Sequence, residues 1–239
     1  YFISSHSGAS GAWVSGPSDL APGEHSWGYD NMTTVKGLFA AGDASGASSH
    51  KFSSGSFTEG RIAGKAAIAF CVDHPDPVEI SQDQIAELKD RILKPLQVFD
   101  EHHAYTNDED VNPNFVKPKM FMFRLQKIMD EYAGGASVGF KTSEALLVKG
   151  LEYLEYMKED SEKLAASDLN ELMRCWENVH RMWQAESHIR TVLFREETRW
   201  PGYYFRTDHP TMKADWEAFA NCRWNPETGE WEMIKRELL

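Results

Sequence analysis

The chain has 239 residues, 41% of them hydrophobic, and a formal net charge of −12 at pH 7. This length supports one large domain or two small ones with a buried core. The acidic balance excludes a basic nucleic-acid-binding surface, and no apolar run is long enough to span a bilayer. The chain opens with Tyr1 in sequence typical of the middle of a fold. We therefore expect a segment of a longer polypeptide, with a cut after a signal peptide as the alternative.

The cysteines give no sign of a metal site. Cys71, Cys175 and Cys222 are widely spaced, form no C-x-x-C pair and cannot alone hold a four-thiolate cluster. His102 and His103 lack a further ligand at metal-binding spacing. We predict free thiols in a reducing, cytoplasmic compartment and no metal in this chain.

The segment from Thr33 to Lys65 carries most of the functional information. Its apolar run Leu38–Ala41 predicts a short strand that ends at Gly42-Asp43, and a Gly/Ser-rich loop follows. A helix is expected to open near Ser56 and to end near Asp73. Strand, acidic residue, loop and helix together form a cradle for a dinucleotide. The alternative is an ordinary strand–helix turn with a surface aspartate.

The chemistry of this segment suits such a ligand. A carboxylate at a strand end points into the crevice where α/β sheets bind ligands. Glycine lets a ligand approach the backbone closely, and the helix start directs free N–H groups at electron-rich atoms. Before this segment, Trp13-Val14 is a candidate short strand, and His6 lies among small residues. Arg61 is expected to pair with Glu59 or a neighbour.

Beyond His74-Pro75-Asp76-Pro77, where two prolines indicate a domain boundary, the chain becomes helical. Ser81 with Gln84 matches a capping box, and Pro95 is expected to kink or split the helix that follows. The predicted apolar face of that helix comprises Ile85, Leu88, Ile92, Leu96 and Phe99.

Three further helices are predicted, starting at Pro118, after Thr142 or Ser143, and at Asp168, and Gly134-Gly135 should end the first of them. Their apolar faces comprise Phe121, Leu125, Ile128, Met129 and Tyr132, then Leu147, Leu151 and Leu154, then Leu169, Leu172, Trp176, Val179 and Trp183. Several such helices favour an antiparallel bundle, with Trp176 and Trp183 in its core.

The last forty residues change character. The run 199–204 should break the final helix, and Trp224 and Trp231 flank a turn suited to a β-hairpin. The predicted fold class is therefore α/β plus all-α. Residues 1–75 form the C-terminal part of a Rossmann-type FAD domain, 76–195 a helical bundle domain, and 196–239 an aromatic-rich extended or hairpin tail.

The run G-L-F-A-A-G-D, a small-residue loop and then S-x-x-x-G-R-I-A-G resembles the fumarate reductase and succinate dehydrogenase flavoprotein family. That resemblance implies FAD bound by Gly42, Asp43, Ser54 and Ser56-Phe57, without a covalent link. Lys51 stands where the family has its substrate-binding arginine. Because an ammonium cannot clamp a carboxylate in the bidentate way of a guanidinium, this exchange disfavours dicarboxylate substrates.

Five segments in order sharpen the resemblance to the α subunits of dissimilatory adenylylsulfate reductases, over the whole chain as a C-terminal portion. They are S-H-S-G-A-S-G-A-W-V-S-G-P, H-K-F-S-S-G-S-F-T-E-G-R-I-A-G-K, K-I-M-D-E-Y, L-M-R-C-W-E and F-R-E-E-T-R-W-P-G-Y-Y-F-R. The resemblance implies reduction of adenosine 5′-phosphosulfate to sulfite and AMP, or the reverse, through a flavin N5–sulfite adduct. It also implies a heterodimer with a β subunit that carries [4Fe–4S] clusters.

Within this interpretation, positive charge is needed where phosphate and sulfite oxygens develop charge. His6 and Lys51 are the candidate catalytic residues, and His50 is a candidate substrate-binding residue. Two alternatives remain open: a flavoprotein resembling fumarate reductase or L-aspartate oxidase, and a non-enzymatic helical interaction module.

Overall fold

The computed structural model describes residues 11–16, 26–46, 53–104, 114–199 and 204–237. The chain divides into two compact units, Tyr1–Glu79 and Ile80–Leu239. The described residues are rich in helix and contain few strands. None of the described helices combines the length and the apolar composition needed to cross a membrane.

The first unit is built on one long helix, α1 (Ser53–Asp73), and on loops held by isolated bridges. Leu38 to Ala41 do not form the predicted strand. The Thr33 N–H donates to the Leu38 carbonyl at 2.8 Å, and the Ala40 N–H to the Asn31 carbonyl at 3.0 Å. The prediction was wrong because this run closes a tight local turn, in which single bridges replace a continuous ladder. Val14, from the other candidate strand, makes one bridge, to Thr33.

Aromatic side chains fix the C-terminal half of α1 to the preceding loop. The Phe70 ring contacts Tyr29 edge-on at 5.3 Å and Phe39 at 6.3 Å, and stacks on His74 at 4.2 Å. The Tyr29 hydroxyl donates to the Asp73 carboxylate at 2.8 Å. The end of α1 is therefore anchored independently of its N-terminal turn.

The described residues of the second unit form four α-helices: α2 (Gln82–His102), α3 (Pro118–Tyr132), α4 (Glu144–Ser161) and α5 (Leu169–Phe194). Two caps read from the sequence are confirmed, because Ser81 accepts from the Gln84 N–H and Asp168 from the Glu171 N–H. Helices α3, α4 and α5 pack on one another, and α2 packs on α5. Their shared core contains Phe121, Leu125, Leu147, Leu154, Met157, Leu164, Leu172, Cys175, Met182 and Ile189.

Pro95 does not split α2, which runs as one element through it. A proline inside a helix removes a backbone donor and strains the preceding turn. Here neighbouring groups bond to carbonyls near it: the Trp176 Nε1–H donates to the Ile92 carbonyl at 2.9 Å, and the Ala166 N–H to the Pro95 carbonyl at 2.9 Å. The proline is buried, and these bonds from outside the helix support its continuity.

The buried face of α5 lies beside the one predicted from its aromatic residues. Leu172, Cys175, Met182 and Ile189 are buried, whereas Trp183 is 42% exposed. Leu169, expected on the apolar face, is also exposed. Trp183 in the core was therefore a wrong prediction, because the smaller side chains on the adjacent face fit between the packed helices.

The tail returns to the bundle through short strands. β1 (Lys141–Thr142) pairs in parallel with β2 (Phe205–Arg206). β3 (Ala218–Asn225) and β4 (Glu230–Glu237) form the predicted antiparallel hairpin. Trp224 and Trp231 are directly paired across it, with ring centroids 5.7 Å apart.

A buried carboxylate ties the hairpin to the bundle. Glu186 on α5 contacts Lys158 at 2.8 Å and Arg190 at 2.9 Å, and accepts from the Trp231 Nε1–H at 2.9 Å. Such a carboxylate is tolerated inside a protein because it is both paired and hydrogen-bonded. The same hydrogen bonds from Lys158 and Arg190 hold the pKa of Glu186 below its usual range, against the opposing effect of burial.

Candidate functional site

Gly42 is a point of close approach within the predicted cradle. It begins a short 3₁₀ turn, Gly42–Ala44, with φ +64. A Cβ atom at this position would lie 3.1 Å from the Ser56 Oγ and 3.3 Å from the Ser56 Cβ. The site therefore requires glycine for its conformation and for its space. The contact brings Gly42 and Ser56 together, and Asp43 follows Gly42 in the same turn.

Glu59 holds this turn to α1, a role that was not predicted from the sequence. The Gly42 N–H donates to the Glu59 Oε2 at 2.6 Å, so the carboxylate is occupied by the backbone of the turn. Glu59 thus bonds to the turn, whereas the sequence suggested Glu59 or a neighbour as the partner of Arg61. Residues two apart on a helix do not face each other, a signal that could have directed attention to another partner for Glu59.

The other side of the turn is held by the loop at residues 11–12. The Ala12 N–H donates to the Ala44 carbonyl and the Gly46 N–H to the Ala12 carbonyl, each at 2.8 Å. A Cβ on Gly11 would lie 2.5 Å from the Ser45 carbonyl carbon. The two backbones thus touch through glycine, and this contact places residues 11–12 beside the turn.

Three of the predicted cofactor-binding residues present their side chains to the surface. Asp43 and Ser54 are exposed, and Phe57 is 80% exposed despite its apolar ring. The first turn of α1 carries no acidic side chain. Its leading N–H groups and the Asp43 carboxylate thus offer donors and acceptors to a ligand, and the Phe57 ring offers an apolar surface. This combination fits the ribitol hydroxyls and the ring of a flavin.

His6, His50 and Lys51 lie outside the described residues. The structure therefore gives no geometry for the two predicted catalytic residues or for the predicted substrate-binding histidine. Among the residues that it describes, no group of three or more His, Cys, Asp or Glu side chains could hold a metal ion. Cys71, Cys175 and Cys222 are free thiols.

Comparison with known proteins first defines a fold class. No family model matches the chain. Its fold matches the FrdA chain of Escherichia coli quinol fumarate reductase with a TM-score of 0.65, at 19% identity, over 87% of this chain and 34% of that one. At this identity the match concerns the fold alone.

Within this class, one enzyme family resembles the chain far more strongly. The chain is 41% identical over 99% of its length to the adenylylsulfate reductase subunit alpha of Megalodesulfovibrio gigas, and covers 37% of it. It superposes on adenylylsulfate reductase from Archaeoglobus fulgidus with a TM-score of 0.91 at 50% identity, covering 99% of this chain and 38% of that one. A structure of adenosine-5-phosphosulfate reductase in covalent complex with sulfite matches equally well.

The relationship to adenylylsulfate reductase alpha subunits that the sequence motifs predicted is therefore confirmed. The chain spans somewhat more than a third of the length of these relatives.

Proposed function

We propose that the protein containing this chain is a flavoprotein subunit that reduces adenosine 5′-phosphosulfate to sulfite and AMP, or catalyses the reverse reaction. The observation that carries the proposal is the 41% identity over 99% of the chain to an adenylylsulfate reductase alpha subunit. Since the chain covers 37% of that relative, the activity is assigned to the whole protein. The two-electron chemistry at the substrate sulfur would be supplied by bound FAD.

The residues proposed to hold FAD, without a covalent link, are Gly42, Asp43, Ser54, Ser56 and Phe57. The exposed Asp43 carboxylate would accept hydrogen bonds from ribitol hydroxyls. Ser54 and Ser56 lie in the first turn of α1, where N–H groups favour electron-rich atoms. The exposed Phe57 ring would pack against the apolar surface of the flavin ring, and this contact would remove apolar area from water.

Chain connectivity supports the proposed roles of Lys51 and His50. Lys51 precedes Ser53, the first residue of α1, by two residues in the sequence. A cation before a helix N-terminus adds to the positive end of the helix dipole, and the first turn of α1 has no acidic residue to neutralise it. Within this acidic chain, the cofactor turn is thus suited to sulfate and phosphate oxygens. Lys51 would stabilise developing charge, and His50 would bind the substrate.

His6 is the proposed proton donor or hydrogen-bonding group for the substrate. It precedes Gly11 by five residues in the sequence. A histidine can change its protonation state near neutral pH, as this role requires.

The proposed partner is a β subunit with [4Fe–4S] clusters that delivers electrons in a cytoplasmic heterodimer. The three free cysteines of this chain fit that division of labour, because they form no cluster-binding motif. Residues 1–75 would contribute the C-terminal part of a Rossmann-type FAD domain, residues 76–195 the helical domain, and residues 196–239 the aromatic-rich tail.

The test is an anaerobic assay of the complete protein with its partner subunit, using adenylylsulfate and, separately, fumarate and L-aspartate. We expect equal amounts of sulfite and AMP and no turnover of the other substrates. Turnover of fumarate or L-aspartate instead would support the first alternative. A colourless, inactive protein would support a helical interaction module. Lys51→Met should lower kcat/KM about 100-fold, while Lys65→Met, a matched change on the exposed face of α1, should leave it unchanged.

A further inference from the structure

We propose that Glu59 is the positioning residue of the cofactor turn: it fixes the Gly42 backbone and thereby sets the direction in which Asp43 presents its carboxylate. The proposal rests on the proposed function, since it assumes that FAD is the ligand of the turn. Glu59 contacts the protein backbone, at the Gly42 N–H, and would act on the ligand only through Asp43.

The conformation of Gly42 explains why the turn needs an external restraint. Gly42 has a left-handed backbone, with φ +64, and glycine adopts this conformation about as readily as conformations with negative φ. The preference of glycine alone therefore does not select the conformation of the turn. A mobile turn would let Asp43 sample several directions, and binding would have to order it. The charge-assisted hydrogen bond from the Gly42 N–H to Glu59, at 2.6 Å, supplies the restraint.

The restraint comes from a helix that is itself well anchored. Ser56 and Glu59 are three residues apart and lie on one face of α1. The Ser56 side chain fills the space over Gly42, while Glu59 holds its N–H. The far end of α1 is fixed by the Tyr29–Asp73 hydrogen bond. Helix α1 is therefore held near both ends, and Glu59 transmits its position to the turn.

Exposure separates the roles of the two carboxylates. Asp43 is exposed, whereas Glu59 is half-buried and its Oε2 is occupied by the backbone N–H. Asp43 is thus the carboxylate available to ligand hydroxyls. Because Glu59 acts through Asp43, loss of Glu59 should weaken FAD binding by no more than Asp43 contributes to that binding. The effects of the two residues on FAD binding are therefore energetically coupled.

The test measures FAD dissociation constants on the complete protein with its partner subunit, by titrating the apoprotein and following flavin fluorescence. We expect Asp43→Ala and Glu59→Ala each to weaken binding about 10- to 100-fold. Glu59→Gln should stay within about threefold of the wild type, because the amide oxygen still accepts from Gly42. The Asp43→Ala/Glu59→Ala double variant should bind no worse than Asp43→Ala alone. Lys65→Ala, an exposed change on the same helix, is the control.

Glu59→Asp keeps the charge but shortens the reach by one methylene, so it tests the role even where Glu59→Ala folds poorly. We expect it to bind FAD more weakly than Glu59→Gln. Three results would overturn the proposed role of Glu59 and leave the proposed function intact. They are tighter FAD binding by Glu59→Asp than by Glu59→Gln, additive losses in the double variant, and unchanged binding by Glu59→Ala. A wild-type protein that binds no FAD would overturn the proposed function and this role together.

Discussion

The Arg206 guanidinium and the Asp208 carboxylate form a bidentate ion pair that joins the ends of two helices. Arg206 Nε lies 2.8 Å from Asp208 Oδ1, and Nη2 lies 2.7 Å from Oδ2. The guanidinium also donates to the Val192 carbonyl at the end of α5, at 2.5 Å, and Asp208 accepts from the Glu144 N–H at the start of α4, at 2.8 Å. Each charge complements the helix dipole that it faces.

Removal of Arg206 should strongly destabilise the second unit. Its side chain is 1% exposed. Arg206→Ala removes the guanidinium donors from the Val192 carbonyl and from the Asp208 carboxylate, which keeps the Glu144 N–H. We expect a loss of about 3–5 kcal/mol in the free energy of unfolding, measured by urea denaturation. Arg174→Ala is the matched control, because its guanidinium pairs with Glu177 at the surface and should contribute about 0–1 kcal/mol. Equal losses for the two variants would contradict a buried structural role.

The same pair should make stability depend on acid pH. The Asp208 carboxylate accepts hydrogen bonds from Arg206 and from the Glu144 N–H, and these bonds hold its pKa well below its ordinary value of 3.8. Below that value the unfolded chain binds a proton that the folded chain does not, so stability falls as the pH falls. Asp208→Asn should flatten the dependence of the unfolding free energy on pH below about 4. An unchanged slope in this variant would mean that other carboxylates dominate it.

Gly134 and Gly139 offer a matched pair of substitutions, since both have left-handed backbones, with φ +81 and φ +64. A Cβ on Gly134 would lie 2.8 Å from the Tyr204 ring, whereas a Cβ on Gly139 meets no atom within 4 Å. Gly139→Ala should cost only the backbone strain, about 1 kcal/mol. Gly134→Ala should cost about 1–3 kcal/mol more, through overpacking. Thermal denaturation of both variants measures the difference, and equal melting temperatures would show that Tyr204 moves aside freely.

Features encoded by neighbouring residues were predictable from the sequence. Ser81 and Asp168 mark helix starts because each side chain can reach an N–H three residues ahead. The hairpin followed from a turn sequence between two tryptophans, Trp224 and Trp231, that now pair across β3 and β4.

Features that depend on distant partners were not predictable. Trp183 was placed in the core, but which face of α5 is buried depends on α3 and α4. The partner of Glu59 could not be identified from the local sequence, because it is a backbone N–H 17 residues earlier. Pro95 indicated a kinked or split helix. Bonds such as the one from the Trp176 Nε1–H to the Ile92 carbonyl, which support the unbroken helix, are not evident from the local sequence.

Cys71 and Cys175 should differ in reactivity towards alkylating reagents. Burial raises the pKa of the Cys175 thiol to about 12, whereas Cys71 is exposed. The thiolate is the reactive form, so at pH 8 iodoacetamide should modify Cys71 and leave Cys175 unmodified until the protein unfolds. Peptide mass spectrometry in the absence and presence of urea measures both. Rapid modification of Cys175 in the folded protein would contradict its place in the core.

The central claim is that the Gly42 turn and the start of α1 face FAD. Hydrogen–deuterium exchange on the complete protein, with and without FAD, tests this claim most directly. We predict that FAD slows amide exchange at residues 42–46 and 53–57, and leaves the β3–β4 hairpin unchanged. FAD binding with no protection in these two segments would contradict the assignment of this turn as the cofactor site.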